Sequence, residues 1–194
     1  MASELAQQLT SDPTQLAAEC VQRARDLRAS IEQATRDIDA QRELPADVLS
    51  AMHHNELFRL TLPPSLGGAA IAPHLLAQVT EAIAMADASA AWCLGQASGC
   101  AMSAAFMDEA YARQVFGAAD AVLAWGAGAM GKATVSDGGF RISGRWGFAS
   151  GGKHATWLGA HCKVFEADGS PRMNARGKQV ERTALFPRSE ITTF

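Results

Sequence analysis

Ala121-Val122-Leu123-Ala124-Trp125-Gly126-Ala127-Gly128-Ala129-Met130-Gly131-Lys132-Ala133-Thr134-Val135-Ser136-Asp137-Gly138-Gly139 is the stretch where the chain changes its period. Ala121–Trp125 is a short apolar run of strand type, and Lys132–Val135 is a second. Ser136-Asp137-Gly138-Gly139 is a hairpin turn signal leading into a third run, Phe140–Ser143. Gly126, Gly128 and Gly131 spell GxGxxG, but the dinucleotide-binding fingerprint requires a helix directly after the glycines, and here a strand follows. A Rossmann reading is therefore rejected, while backbone amides in such a loop remain able to meet a flat or anionic ligand. Strand-type patterning continues through Arg145–Ala149, Thr156–Val164 and Thr183–Phe186, with Asp168-Gly169-Ser170-Pro171 as a loop.

Upstream of this stretch the period is helical. Asp12 before Pro13 reads as an N-cap followed by proline in the first turn. Leu16, Cys20, Ala24, Leu27, Ile31, Ala34 and Ile38 recur at spacings of three and four, drawing one long apolar stripe. Leu44-Pro45 restarts the chain, and Val48, Leu49 and Met52 carry a short second helix. The run from Leu60 to Gly68, with Pro63, Pro64, Gly67 and Gly68, reads as an ordered loop. A third helix follows Pro73 with Leu75, Leu76, Val79, Ile83 and Ala86 inward. Ser89 caps a fourth that runs through Trp92, Leu94, Met102 and Phe106, nearly all small or apolar and so expected to be buried between other elements. Asp108 caps a fifth that Gly117 ends.

The expected architecture is α+β: an all-α domain over 1–120 and an antiparallel, barrel-like β domain over 121–194. The last residues, Ile191-Thr192-Thr193-Phe194, are still strand-like, so the β domain is expected to be incomplete. Of the 194 residues, 48% are hydrophobic and 19% charged, a globular composition. Acidic residues outnumber basic ones ten to six over 1–60 and five to one over 61–120, whereas over 121–194 basic residues lead ten to five. The net charge of −3 gives no general call for a polyanionic partner, and the basic loop Arg172–Lys178 lacks the interleaved aromatics of a nucleic-acid surface. The N-terminus lacks a basic and apolar leader, and no apolar run has the length of a membrane span. Cys20, Cys93, Cys100 and Cys162 form no CxxC; they read as buried free thiols, and the chain as cytoplasmic.

The densest chemistry lies in Ser143-Gly144-Arg145-Trp146-Gly147-Phe148-Ala149-Ser150-Gly151-Gly152, followed by His154 and Trp157. Aromatic, small and hydroxyl residues beside glycines make a surface for a planar ligand. Phe148 would meet a ring face, Ser150 would hydrogen-bond a ring nitrogen, and the glycines would admit close backbone approach. A β-bulge with ordinary aromatic packing accounts for the same residues. His154 and His161, seven apart, fall on opposite faces of a strand and make no metal pair. His53 and His54 sit favourably at a helix C-terminus.

Arg42-Glu43-Leu44-Pro45, Leu57-Phe58-Arg59-Leu60, Pro64-Ser65-Leu66-Gly67-Gly68 and Ala86-Asp87-Ala88-Ser89-Ala90-Ala91-Trp92 follow the order seen in the acyl-CoA dehydrogenase superfamily. The run Gly144-Arg145-Trp146-Gly147-Phe148-Ala149-Ser150-Gly151 resembles one branch of it, the two-component monooxygenases that use reduced flavin from a separate reductase. The resemblance, over about residues 14–188, implies a helical domain, a middle β domain, and a C-terminal four-helix domain absent here. It implies FAD or FMN as cofactor and a flavin reductase as partner. It further implies a small aromatic or heterocyclic substrate and a homo-oligomer, tetrameric at full length.

By position, the resemblance makes Ser150 the catalytic residue, bonding flavin N5, and assigns cofactor binding to Trp125, Gly126, Ala127, Phe148, Ala149, Ser150 and Gly151. Residues 125–133 lack the Thr-Glu-Pro and Ala-Gly-Ser-Asp elements of the dehydrogenases, which favours the monooxygenase branch. Residues 96–100 lack the histidine that many of these hydroxylases place on that helix. The alternatives are FAD-dependent oxidation of an acyl-CoA thioester and a truncated, non-catalytic chain. Without its closing helices the 194-residue chain is expected to be inactive.

Overall fold

The computed structural model describes residues 13–192, so the Asp12 cap and the last two residues lie outside the described residues. Helices α1 (Pro13–Asp26), α2 (Arg28–Gln41), α3 (Ala46–His54), α4 (Pro73–Ala84), α5 (Ala88–Ala101) and α6 (Glu109–Phe116) come first. Strands β1 (Leu123–Trp125), β2 (Gly131–Ser136), β3 (Gly139–Ser143), β4 (Trp157–Phe165) and β5 (Glu181–Pro187) follow. No described helix is long and apolar enough to cross a membrane.

The apolar stripe of the N-terminal segment is buried at all seven positions, yet it belongs to two helices. The chain breaks at Leu27, whose amide donates to the Ala24 carbonyl at 3.3 Å, and α2 resumes in nearly the same phase. The fourth predicted helix is shorter than its pattern: α5 stops at Ala101, and Met102–Phe106 tighten into a 3₁₀ turn. Its cap is Asp87, which accepts from the Ala90 amide at 2.8 Å, rather than Ser89. Ala90, Ala91, Leu94, Ala97, Ser98, Cys100 and Ala101 on α5 are buried, whereas Trp92, Met102 and Phe106 are exposed. Asp108 caps α6 through the Ala110 amide, as its sequence position predicts.

The expected order of a helical region followed by a β region holds, but the sheet is mixed, which corrects the purely antiparallel pairing expected for it. Its centre is β4, nine residues long, pairing in parallel with β1 over Trp157–Gly159 and with β2 over Cys162–Phe165. On its other side β4 pairs antiparallel with β5 from Trp157↔Pro187 to Lys163↔Glu181. Only β2–β3 is the predicted hairpin, turning at Asp137-Gly138 with Gly138 at φ 77°. Parallel pairing was invisible because period-two patterning reports which faces are buried and not which way the partner runs. A second correction concerns Arg145–Ala149, which form no strand. The Trp146 indole folds back against Gly131 and Gly144, with Nε1 donating to the His161 carbonyl at 2.8 Å, and Phe148 turns into the left-handed region at φ 57°.

One core runs across helices and sheet, joining Val79, Ile83, Leu94 and Ala97 to Val122, Ala124, Ala155 and Leu158. The loop over Leu60–Gly68 is buried at Leu60, Leu62 and Leu66. Buried loop backbone needs partners, and Arg59 supplies them. Its Nε donates to the Gly67 carbonyl at 3.3 Å, Nη1 to Ala118 at 2.9 Å, and Nη2 to Leu66 and Phe116. Burial lowers the Arg59 pKa, and Glu56 opposes the shift. Arg59→Met would remove the donor these carbonyls share, and we expect it to destabilise the fold by about 3–5 kcal/mol in chemical denaturation.

Candidate functional site

Between β3 and β4 the chain makes a compact turn rather than a strand. The Gly152 amide donates to the Ala149 carbonyl at 2.9 Å, and the His154 and Ala155 amides donate to that of Gly151 at 3.1 and 3.0 Å. Gly151 takes φ 78°. Phe148, left-handed and 96% exposed, is pushed outward at the head of this turn. A non-glycine residue in that region costs of order 1–3 kcal/mol, and such strain concentrates at functional sites.

The two segments proposed from sequence meet here. Gly126, at the end of β1, packs so closely on the Gly147 carbonyl that a side chain would overlap it. Gly131 and Gly144 make room for the Trp146 ring in the same way. Two glycines of the GxGxxG run thus serve close packing. Ala149, Ser150, Gly151 and Gly152 form one wall of a groove of about 830 Å³, facing Arg42 and Glu43 after α2, and Ala88, Trp92 and Cys93 on α5. A neighbouring cleft of about 370 Å³ is lined by Gly126, Gly147, Phe148 and Ala149, so the turn is shared by both.

Of the sequence-predicted residues, Gly126, Phe148, Ala149, Ser150 and Gly151 are brought together. Trp125 is not: its side chain turns to the other side of β1, against the His161 ring at 5.4 Å, in a separate cavity of about 740 Å³ with Trp157 and Tyr111. Ala127 is exposed in the loop after β1.

Two residues of the site were assigned other roles by sequence reasoning. Trp92 was placed among the buried residues of its helix; it is 60% exposed, and its Nε1 donates to Ser150 Oγ at 2.9 Å. The available signal was its size, since it is the one large aromatic in an alanine-rich run. From sequence, His154 follows the glycine run and falls on a strand face where it makes no metal pair with His161. It lies in the turn before β4, lines the groove, and its buried Nε2 has no hydrogen-bond partner among the described residues. Its ring packs on Phe58 at 5.8 Å, and Phe58 in turn on His53 at 4.8 Å. No sequence pattern marks that stack, because its members are brought together by tertiary packing.

Chemically, the turn offers backbone close approach, an outward aromatic ring and a hydroxyl with its proton uncommitted. Ser150 Oγ accepts from Trp92, whose indole N–H is donor only, so its own O–H and second lone pair are left for a further partner. Lys153 braces the turn, donating to the Gln41 carbonyl at 3.0 Å and pairing with Glu43 at 3.5 Å. All four cysteines are free, and burial raises the pKa of Cys93 and takes Cys100 to about 11. Neither is an activated nucleophile.

Burial, and secondarily the charge of His53, lowers His154 to about 4, with Glu43 opposing. The unfolded imidazole takes its proton near the ordinary value, whereas the folded one stays neutral until about pH 4. Stability is therefore unaffected above the ordinary histidine pKa and falls as pH drops from there towards 4. We expect a loss of about 2 kcal/mol between pH 7 and pH 5, largely absent in His154→Gln, from urea midpoints at the two pH values.

The family model for the acyl-CoA dehydrogenase N-terminal domain matches residues 16–117. The chain is 30% identical over 154 residues to indole-3-acetate monooxygenase of Pseudomonas putida, covering 79% of this chain and 38% of that protein. It is 29% identical over 158 residues to the oxygenase component of an FADH(2)-dependent resorcinol hydroxylase of Rhizobium sp., covering 81% and 37%. Among solved structures, XiaF from Streptomyces sp. in complex with FADH2 and glycerol superposes with a TM-score of 0.86 at 25% identity, over 95% of this chain and 45% of that one. The HsaA monooxygenase from M. tuberculosis gives 0.80 at 23% identity, over 90% and 46%, a likeness of fold. The chain spans less than half the length of these relatives.

Proposed function

The chain belongs to the acyl-CoA dehydrogenase family, and from that premise we propose that it forms the helical and sheet portion of a reduced-flavin-dependent monooxygenase acting on a small aromatic or heterocyclic compound. The observation that carries the reading is the junction of Gly126 with the Gly147–Ser150 turn. It places a close-approach backbone, an outward Phe148 and a hydroxyl with a free proton side by side, which fits the edge and face of a flavin ring. Such a flavin, FAD or FMN, supplies the two electrons that activate dioxygen, so that one oxygen atom enters the substrate and the other leaves as water.

In this reading Gly126, Ala149 and Gly151 admit the ring edge through backbone contacts, and Ser150 bonds its central nitrogen. Phe148 packs on the ring face. Trp125 and Ala127, proposed on the same grounds, would act through backbone, since the Trp125 ring points into the other cavity. His154 stays uncharged at neutral pH, which keeps an extra cation out of the groove. The groove is open where Phe148 stands in solvent, and a reaction that must exclude water needs further cover there. We therefore expect this chain alone to be inactive, and propose that the complete enzyme is a homo-oligomer fed by a separate flavin reductase. Four free thiols suit a reducing compartment, and we place the protein in the cytoplasm.

The test is made on the longest polypeptide that the gene encodes, supplied with reduced flavin by an added reductase under isotopically labelled dioxygen. The expected outcome is incorporation of one labelled oxygen atom into an indole- or phenol-type substrate, lost in Ser150→Ala with the fold intact. Bleaching of bound oxidised FAD by an acyl-CoA, without label incorporation, would instead establish a dehydrogenase.

A further inference from the structure

We propose that Trp92 is a positioning residue that sets the redox-state preference of the flavin site through the Ser150 hydroxyl, an inference that rests on the flavin reading above. The two residues are 58 apart in sequence, on α5 and on the turn before β4, and their hydrogen bond of 2.9 Å joins the helical layer to the turn. An indole N–H is a donor and nothing else, so the direction of this bond is fixed: Ser150 Oγ accepts. The hydroxyl proton then points away from Trp92.

The consequence follows from the two forms of the ring. The central nitrogen of an oxidised flavin carries a lone pair and needs a donor; that of a reduced flavin carries a proton and needs an acceptor. A hydroxyl that already accepts from Trp92 is polarised into a better donor and has only one lone pair left. Trp92 therefore favours the oxidised ring over the reduced one. The effect is to hold the ring after its electrons have been passed on. Trp92 is suited to this role and not to a structural one, since it is 60% exposed and lies off the buried face of α5.

The test is a double-mutant cycle on the longest polypeptide that the gene encodes, with Trp92→Phe, Ser150→Ala and the pair. Its readouts are fluorescence titrations with oxidised and, anaerobically, reduced FMN. Because Trp92 is exposed, the phenylalanine variant is expected to keep the wild-type circular dichroism and urea midpoint. Trp92→Phe should weaken oxidised FMN relative to reduced FMN roughly fivefold, the worth of about one hydrogen bond, and move the bound-flavin midpoint potential upward. In the Ser150→Ala background the same substitution should leave the ratio of the two affinities unchanged. In the unliganded chain, Ser150→Ala should shift the Trp92 indole N–H resonance and speed its hydrogen exchange.

Equal weakening of both flavin forms, or the same ratio change with Ser150 absent, would overturn the role assigned to Trp92 while leaving the flavin site standing. Failure of the wild-type chain to bind either form, or indifference of both affinities to Ser150→Ala, would overturn the flavin reading and this inference with it.

Discussion

Arg59 presents a guanidinium, nearly buried, to the carbonyls of Leu66, Gly67, Phe116 and Ala118, with no carboxylate among the described residues in hydrogen-bond reach. Two of those carbonyls belong to the buried loop before α4, one to the last residue of α6, and one to the link into β1. The planar fork of an arginine meets this need as the compact ammonium of a lysine does not. Fixing Ala118 fixes the entry to β1; β1 in turn places Gly126, and Gly126 is the contact on which the Gly147 backbone rests. The geometry of the candidate site thus descends from a cation buried in the helical layer.

The same dependence explains what could be read from residues alone. Each of the seven stripe residues from Leu16 to Ile38 is buried as its spacing implies, although the stripe runs through a helix break at Leu27. A periodic pattern records the face that meets the core, and two helices in phase satisfy it as well as one. The β2–β3 hairpin was legible because its turn residues are local, whereas the parallel partners of β4 are set by tertiary packing. Arg145–Ala149 failed as a strand for a related reason. The Trp146 ring packs on Gly144, two residues before it, and on Gly131 at the start of β2, and the second of these contacts is set by tertiary packing.

For the candidate site, the residues of the turn stand out in the sequence and its supports do not. Phe148, Ser150 and Gly151 stand out locally as an aromatic, a hydroxyl and a glycine. Trp92 and His154 matter only because α5 and the Phe58 stack are brought against that turn. Trp125 shows the converse: its backbone is where the sequence places it, yet its ring follows the strand pleat to the opposite side, against His161. A strand end can deliver a backbone and a side chain to different cavities, and only the alternation of the pleat decides which.

The charge asymmetry along the chain has a physical counterpart in the same region. Basic residues from the C-terminal third reach the helical layer and the turn instead of forming a polyanion surface. Lys153 meets Glu43 and the Gln41 carbonyl at the end of α2, and Arg188 donates from Nε to the Gly152 carbonyl at 3.2 Å. Each exposed pair contributes at most about 1 kcal/mol, so their value is not in stability. Their placement is more telling: Lys153, within the turn, ties it to the Gln41 carbonyl at the end of α2, and Arg188 holds the turn's own Gly152 carbonyl. With glycine close-packing beneath, Trp92 above and these two cations holding carbonyls, the fold makes no use of the Ser150 proton among the described residues, which is the condition for a hydroxyl to act on a ligand rather than on its own fold.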